Sequence, residues 1–511
     1  MVSKINAISL FGLDGFKVEV EVDIHLGLPA FHIIGLPDKA LQEATFRVSS
    51  AIKNSGFKMP TGKILVNLAP ADLVKTGTGF DFAIAIGILN ASKQISGNFN
   101  DSVFWGELSL DGTAKNMCGA LVIAQVARNL KFKNLFLPKI NAREAGNLAG
   151  IDIKPVKSLS QMALHYKGIE ILSNPVNMCE DNHENITNYN LGTDDISNIK
   201  GQFIAKRALE IAASGSHNLL MSGSPGAGKT MLSKAFATIL PRLNFEDSLE
   251  VTKIHSIAGL LQRETPMIKN SPFRSPHHTS SKIAIIGGGV NLKPGEITLA
   301  HKGVLFLDEM NQFSTDTLES LRQPLEDKTV SLVRIKGSVI YPADFILIAA
   351  INPCKCGYYM DEKHPCICSP KDLINYKKKI SGPILDRIDI KIHIKSSGSI
   401  LMENKMNGET SSVIKARVER CREYQNQRSQ SLFGKNIANA ILTQGQLLKT
   451  TALDTKIKSI IERAIDKYYL SSRGIIRILR TARTIADMEG KETIDINHIT
   501  ESLSYRFSEG E

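Results

Sequence analysis

Gly223-Ser224-Pro225-Gly226-Ala227-Gly228-Lys229-Thr230 decides how this chain is read. It has the G-x-x-x-x-G-K-T spacing of a phosphate-binding loop, with the apolar run Leu219-Leu220-Met221 before it and the helix-periodic stretch from Met231 to Leu240 after it. Strand, glycine-rich loop and helix in that order are what the motif needs. The glycines let backbone N–H groups turn inward around phosphate oxygens, Lys229 adds a cation at the β and γ positions, and the Thr230 hydroxyl is suited to ligate Mg²⁺. Gly223 through Met231 is therefore the expected nucleotide contact. Further on, Val304-Leu-Phe-Leu-Asp308-Glu309 reads as a buried strand ending in two carboxylates. Such an end alone is usually a solvated turn. Downstream of a phosphate loop it is expected to be a catalytic pair, Asp308 holding Mg²⁺ through water and Glu309 polarising the attacking water.

The chain has 511 residues, 42% hydrophobic and 22% charged, which is globular and too long for one core, so two or three domains are expected. No apolar run approaches the ~18 residues of a membrane span, and the N-terminus does not read as a secretory leader. A cytoplasmic location without membrane partners follows as the expectation. Four of the seven cysteines cluster between 354 and 368, unlike a secretory disulfide framework. A net charge of +11 favours a polyanionic partner.

Residues 1–168 read as a separate α/β domain. Strand alternation at Lys17–Asp23 gives way to helical spacing over Asp38–Ile52, then a strand at Lys63–Asn67, an apolar helix at Phe80–Ala91, a turn at Asp111-Gly112 and a helix from Ala120. This order resembles the proteolytic domain of Lon proteases, a ribosomal S5-like fold. The residues matching the Lon serine and lysine are Gly79 and Leu121, neither of which can act as nucleophile or base, so the domain is expected to be non-catalytic. Residues 169–193 are polar and aperiodic, as in a linker. The ATPase core is expected over 194–395 with an insert at 354–368, and a helical lid over 396–511.

In the core, Arg274-Ser-Pro-His277-His278, the Gly287-Gly-Gly289 turn and Pro294-Gly-Glu-Ile-Thr-Leu-Ala-His301 lead directly into the Asp308-Glu309 strand. That succession resembles the magnesium-chelatase-like AAA+ ATPases, in detail their ComM/YifB branch, and the resemblance runs along essentially the whole chain. It implies an α/β fold with a Lon-like front domain, a P-loop ATPase core and an α-helical lid. It also implies a hexameric DNA motor that migrates branches during natural transformation. Gly201-Gln202 resembles the segment that cradles adenine, and Asn352, ending an apolar strand, resembles the sensor that orients the lytic water. Arg387, in Gly382-Pro-Ile-Leu-Asp-Arg387, resembles the arginine finger presented to the next subunit, the alternative being a structural pair with Asp386 or Asp389. Arg473 matches the lid sensor of the chelatase-like group, whereas the pattern of other AAA+ proteins selects Arg477. Arg480 and Arg483 are expected on a solvated or inter-subunit face.

Thr329–Pro342 alternates as a β-hairpin would and resembles a hairpin lining the pore of related motors. Arg334 and Lys336 on it, and Lys293 on the preceding loop, are candidate phosphate contacts to branched or single-stranded DNA. Cys354-Lys-Cys356 and Cys366-Ile-Cys368 suit a structural tetrahedral Zn²⁺, with His364 a possible substitute ligand. The competing readings are a chelatase motor driving metal insertion or protein remodelling, a Lon-type protease or chaperone, and a non-enzymatic DNA scaffold.

Overall fold

The computed structural model describes residues 2–75, 77–172, 195–262, 265–289, 292–334, 337–359, 361, 364–395, 408–451, 454–468 and 470–506. Most of the expected linker and Lys336 lie outside the described residues.

The front of the chain folds on a seven-stranded mixed sheet in the order Ala30–Ile34, Lys63–Ala69, Asp14–His25, Ser3–Phe11, Ser102–Phe104, Asn134–Pro138, Asp152–Val156. The expected alternation falls in Asp14–His25: Val18, Val20 and Val22 are fully buried, while Glu19 and Glu21 point outward to Lys4 at 2.6 and 3.0 Å. Successive side chains on a strand face opposite ways, so one face is core and the other carries charge. The helix Asp81–Ala91 packs on this sheet and is buried along nearly its whole length, because helices Ala44–Asn54 and Leu159–Tyr166 cover it from outside. An all-round apolar sequence suits such a central helix. The single helix expected over 38–52 is two, Lys39–Gln42 and Ala44–Asn54, with Asp38 capping the first through the Leu41 N–H at 2.9 Å.

The other sheet face is covered by helix Ala120–Asn129, whose cluster reaches Leu249 and Ile257 on helix Phe245–Ala258 of the ATPase core. Polar bonds close the same boundary: the Gly119 N–H donates to Ser256 Oγ at 2.9 Å, and the Asn147 amide to the Pro266 carbonyl at 2.9 Å.

The ATPase core is a five-stranded sheet in the order Phe273–Arg274, Val304–Leu307, Ile346–Ile351, Leu219–Gly223, Ile390–Ile394, all neighbours parallel. Parallel strands deliver their C-terminal ends to one edge, where ligands of open α/β sheets bind. Three adjacent strands therefore bring Gly223, Asp308 and Asn352 together. Two short hairpins project from the core. One pairs Gly287–Gly288 with Lys293–Pro294, and the other pairs Thr329–Arg334 with Gly337–Pro342.

The C-terminal helical region begins with helix Ser411–Phe433, ended by Gly434 in the left-handed conformation. Helices Gln444–Thr450, Thr455–Tyr468, Ser472–Met488 and Ile496–Ser504 follow. Partly buried ionic bonds fasten lid to core: Arg477 Nη1 donates to Asp389 Oδ1 at 2.6 Å, and Arg207 Nε to Glu501 at 2.9 Å. The expectation of a solvated or inter-subunit face for Arg480 and Arg483 is corrected here. Arg483 has no exposed surface and is held by Asp487 and the carbonyls of Thr450, Glu492 and Lys491, while Arg480 donates to the Leu442 carbonyl. Their fork of donors finds enough acceptors to be buried. Among the described residues no helix is long and apolar enough to cross a membrane.

Candidate nucleotide site and thiol cluster

Lys229 opens helix Lys229–Ile239 and is almost wholly enclosed. Its Nζ donates to the carbonyls of Gly223 at 2.7 Å and Ser224 at 3.0 Å and to Asn352 Oδ1 at 3.1 Å. Burial lowers the ammonium pKa, and the carboxylates of Asp308 and Glu309 pull the other way. Gly226 and Gly228 hold positive φ angles of 77° and 89°, and a Cβ on either would meet open space. The loop thus turns where only glycine turns cheaply, and it stays uncovered.

Thr230 Oγ1 donates to Asp308 Oδ2 at 2.9 Å, which puts the two expected Mg²⁺ ligands in contact. Glu309 is exposed, with φ +48°, a left-handed backbone that a glutamate adopts at some cost. That turn directs its carboxylate out of the strand beside Asp308. Gly201 and Gln202 are both left-handed, and Gln202 Nε2 donates to the Lys395 carbonyl at 2.8 Å, so its side chain ties two loops at the edge of the cleft. Just after them, Phe203 and Ile204 are 72% and 71% exposed at the start of helix Phe203–Gly215. Sequence reading passed over this pair. The available signal is two large apolar residues in the first turn after Gly-Gln, where a surface helix would carry polar ones.

Arg387 does not touch this cleft in its own subunit. It is buried, donates through Nη1 to the Pro383 carbonyl at 2.6 Å, and pairs through Nη2 with Glu326. Neither Asp386 nor Asp389 is the partner found for it. Asp389 is committed to Arg477 and to the buried His217, whose Nδ1 lies 3.4 Å away, and it is held far below the usual carboxylate range despite burial, chiefly by Arg477. Arg473 is 68% exposed at the start of the lid helix, 3.9 Å from the same Glu326. Of the two lid arginines, Arg477 is spent on the lid-to-core bond and Arg473 points outward.

The four thiols of Cys354, Cys356, Cys366 and Cys368 lie within 4.8 Å of one another. Three separations are 3.2, 3.6 and 3.7 Å. Zn–S bonds of about 2.3 Å make a tetrahedral S···S edge of about 3.8 Å, so the donor set fits such an ion. The Tyr358 N–H, above all, lowers the Cys356 thiol pKa. His364 is not among them: its Nδ1 is 3.3 Å from Asp361, and its ring packs on Tyr358.

Lys293 and Arg334 are exposed, and Arg334 Nη2 lies 3.8 Å from where a Gly288 Cβ would stand, so the two hairpins are side by side. In the front domain a Cβ at Gly79 would lie 2.5 Å from Trp105 Nε1, and Leu121 is fully buried. No side chain could be presented there.

Residues 195–401 match the family model for magnesium chelatase, subunit ChlI; residues 20–141 match that for subunit ChlI of Mg-chelatase; and residues 408–506 match the ChlI C-terminal model. The chain is 38% identical to the competence protein ComM of Haemophilus influenzae over 499 residues, 97% of this chain and 95% of that one. It is equally similar, 38% over 499 residues and the same shares, to the uncharacterized protein YifB of Escherichia coli. Similarity to the magnesium-chelatase 67 kDa subunit of Chlorobaculum tepidum is 26% over 161 residues, 31% of this chain and 23% of that one. With relatives of the first kind matched from end to end, the chain belongs to the magnesium-chelatase-like AAA+ ATPases, in the family that holds ComM and YifB.

Proposed function

We propose that this AAA+ ATPase is a cytoplasmic Mg-ATP-dependent DNA motor, a homo-hexamer that shifts branch points in recombination intermediates of natural transformation. The observation that carries the DNA reading is end-to-end similarity to a competence protein. The net charge of +11 and the paired hairpins bearing Lys293 and Arg334 support it.

In hydrolysis, Lys229 and the loop N–H groups bind the triphosphate, Thr230 and Asp308 would hold Mg²⁺, and Phe203 and Ile204 offer the adenine an apolar seat beside Gly201-Gln202. Bound Mg²⁺ supplies positive charge to the β and γ oxygens. Glu309 orients the attacking water and accepts its proton, with Asn352 as second anchor. Arg387 serves the neighbouring subunit's nucleotide, which requires it to leave Glu326 and exchange one anion for another. Arg473 completes the charge set from the lid. The thiols of Cys354, Cys356, Cys366 and Cys368 would hold Zn²⁺ in a structural role.

A second reading, a chelatase-type motor for metal insertion or protein remodelling, is favoured by the match to a magnesium-chelatase subunit. ATP hydrolysis by the purified chain with no DNA, linear duplex, single strand or a four-way junction separates the two. Junction-stimulated hydrolysis with ATP-dependent branch movement, lost in Lys229→Ala, is expected. Hydrolysis indifferent to every DNA would reject the DNA motor and leave the second reading.

A further inference from the structure

The thiol cluster is attached to the nucleotide cleft at two points. Cys354 follows Asn352 by two residues and is completely buried, so the cluster continues directly from the residue that accepts the Lys229 bond. Gly357, in the turn closed by its N–H to the Cys354 carbonyl at 3.1 Å, lies flat against the phosphate loop. A Cβ built there would stand 2.7 Å from both Cγ and Cδ of Pro225. Immediately after Cys368, a capping box formed by Ser369 and Asp372 starts helix Pro370–Lys377.

We propose that the metal-loaded knuckle is a working wall of the nucleotide site: the ion held by Cys354, Cys356, Cys366 and Cys368 fixes Gly357 against Pro225, and its loss loosens the phosphate loop and weakens binding of nucleoside triphosphate. This rests on the metal and ATP readings given above. The physical reason is that the arms carrying the thiols are short and have little apolar core of their own, Ile367 being 86% exposed. Four bonds to one ion replace the burial that would otherwise hold such a segment. Whatever the ion fixes, Gly357 passes to Pro225 by direct contact, and chain continuity passes to Asn352. Among the described residues no other cluster of this kind lies against the cleft.

The test uses the full chain, purified reduced and without chelator. Zinc per chain is measured by atomic emission, and the affinity for a fluorescent ATP analogue is measured for the protein as isolated, after stripping with 1,10-phenanthroline, and after reloading with zinc alone. One zinc per chain is expected, with affinity falling about tenfold on stripping and returning on reloading, the scale of supporting residues around a metal site. Gly357→Ala keeps all four thiols and adds the methyl that meets Pro225. Gly357 also holds φ +87°, which an alanine adopts at some cost, so the variant is expected to melt somewhat lower, to retain its zinc and to lose affinity, and a second change, Pro225→Ala, is expected to restore part of the affinity. One zinc per chain as isolated, with affinity unchanged both after stripping and in Gly357→Ala, overturns this inference alone. Absence of zinc from the isolated protein overturns the metal reading with it. Absence of hydrolysis in the zinc-loaded chain counts against the ATPase site instead. Where stripping aggregates the protein, Gly357→Ala decides.

Discussion

Lys229 and Lys75 are both enclosed lysines whose ammonium groups donate to backbone carbonyls, and burial lowers the pKa of each. Their surroundings differ in kind. Lys229 stands under a loop whose Gly226 and Gly228 face open space, with Asn352, Asp308 and Glu309 around it. Among the described residues Lys75 has the Pro70 carbonyl and, more distantly, Asp72; Gly77 beside it also faces open space, while Gly79 lies under the Trp105 indole. A lysine beside a glycine-rich turn is therefore not yet chemistry. What distinguishes the two places is the company of the ammonium, two carboxylates and an amide at Lys229 against one carbonyl and one distant carboxylate at Lys75.

The same substitution at both places is the strongest way to break this contrast. Lys229→Met is expected to lower ATP turnover by at least about 10²-fold, since it removes a charge aimed at the transferring phosphoryl group. Lys75→Met is expected to leave turnover unchanged. Equal loss in steady-state assays of the two variants would mean that the front domain takes part in hydrolysis. A smaller effect is expected from Gly79→Ser, which puts a side chain back where a Lon-type nucleophile would sit. Collision with Trp105 should cost about 1–3 kcal/mol in a denaturant melt, with no peptidase activity gained. Cleavage of an unfolded casein substrate by that variant would refute the closed-site account.

The smallest effect concerns pH. Burial pushes the Asp81 carboxyl up to about 6, although the Arg47 guanidinium and the Leu108 N–H favour its charged form. Since its unfolded value is near ~3.9, the folded chain binds the extra proton between the two, and the contribution of Asp81 to stability falls as pH rises from about 4 to about 6. Asp81→Asn should flatten the melting temperature across that window. An unchanged slope would place the carboxyl lower.

The parts of this site that were legible in the sequence are those written contiguously. Gly223 to Thr230 carries its own geometry, and the apolar strands before Asp308 and Asn352 announce where those residues emerge. The order of the sheet, which makes the three strands neighbours, is a matter of long-range pairing and has no local mark. Pairing of Arg387 with Glu326, and of Asp389 with His217 and Arg477, joins segments far apart in the chain. Arg480 and Arg483 misled for a related reason: charge suggests surface, and only the fold reveals the carbonyls and Asp487 that accept their protons. Phe203 and Ile204 carry a weak signal, apolar residues in an outward first turn. The thiol cluster was readable as a metal set from spacing alone, whereas its contact with Pro225 was not, because a glycine's neighbour is invisible in sequence.

The hairpin Thr329–Pro342 leans on the front domain. A Cβ at Gly12 would fall 2.4 Å from Val339 Cγ1, one at Gly337 would fall 2.7 Å from the Phe11 ring, and Leu13 enters the apolar cluster beneath the hairpin. No side chain would fit between the hairpin and the front domain at either glycine. A displacement of strands Thr329–Arg334 and Gly337–Pro342 is therefore met by the turn between strands Ser3–Phe11 and Asp14–His25. In mechanical terms the front domain is a backing against which the hairpin rests.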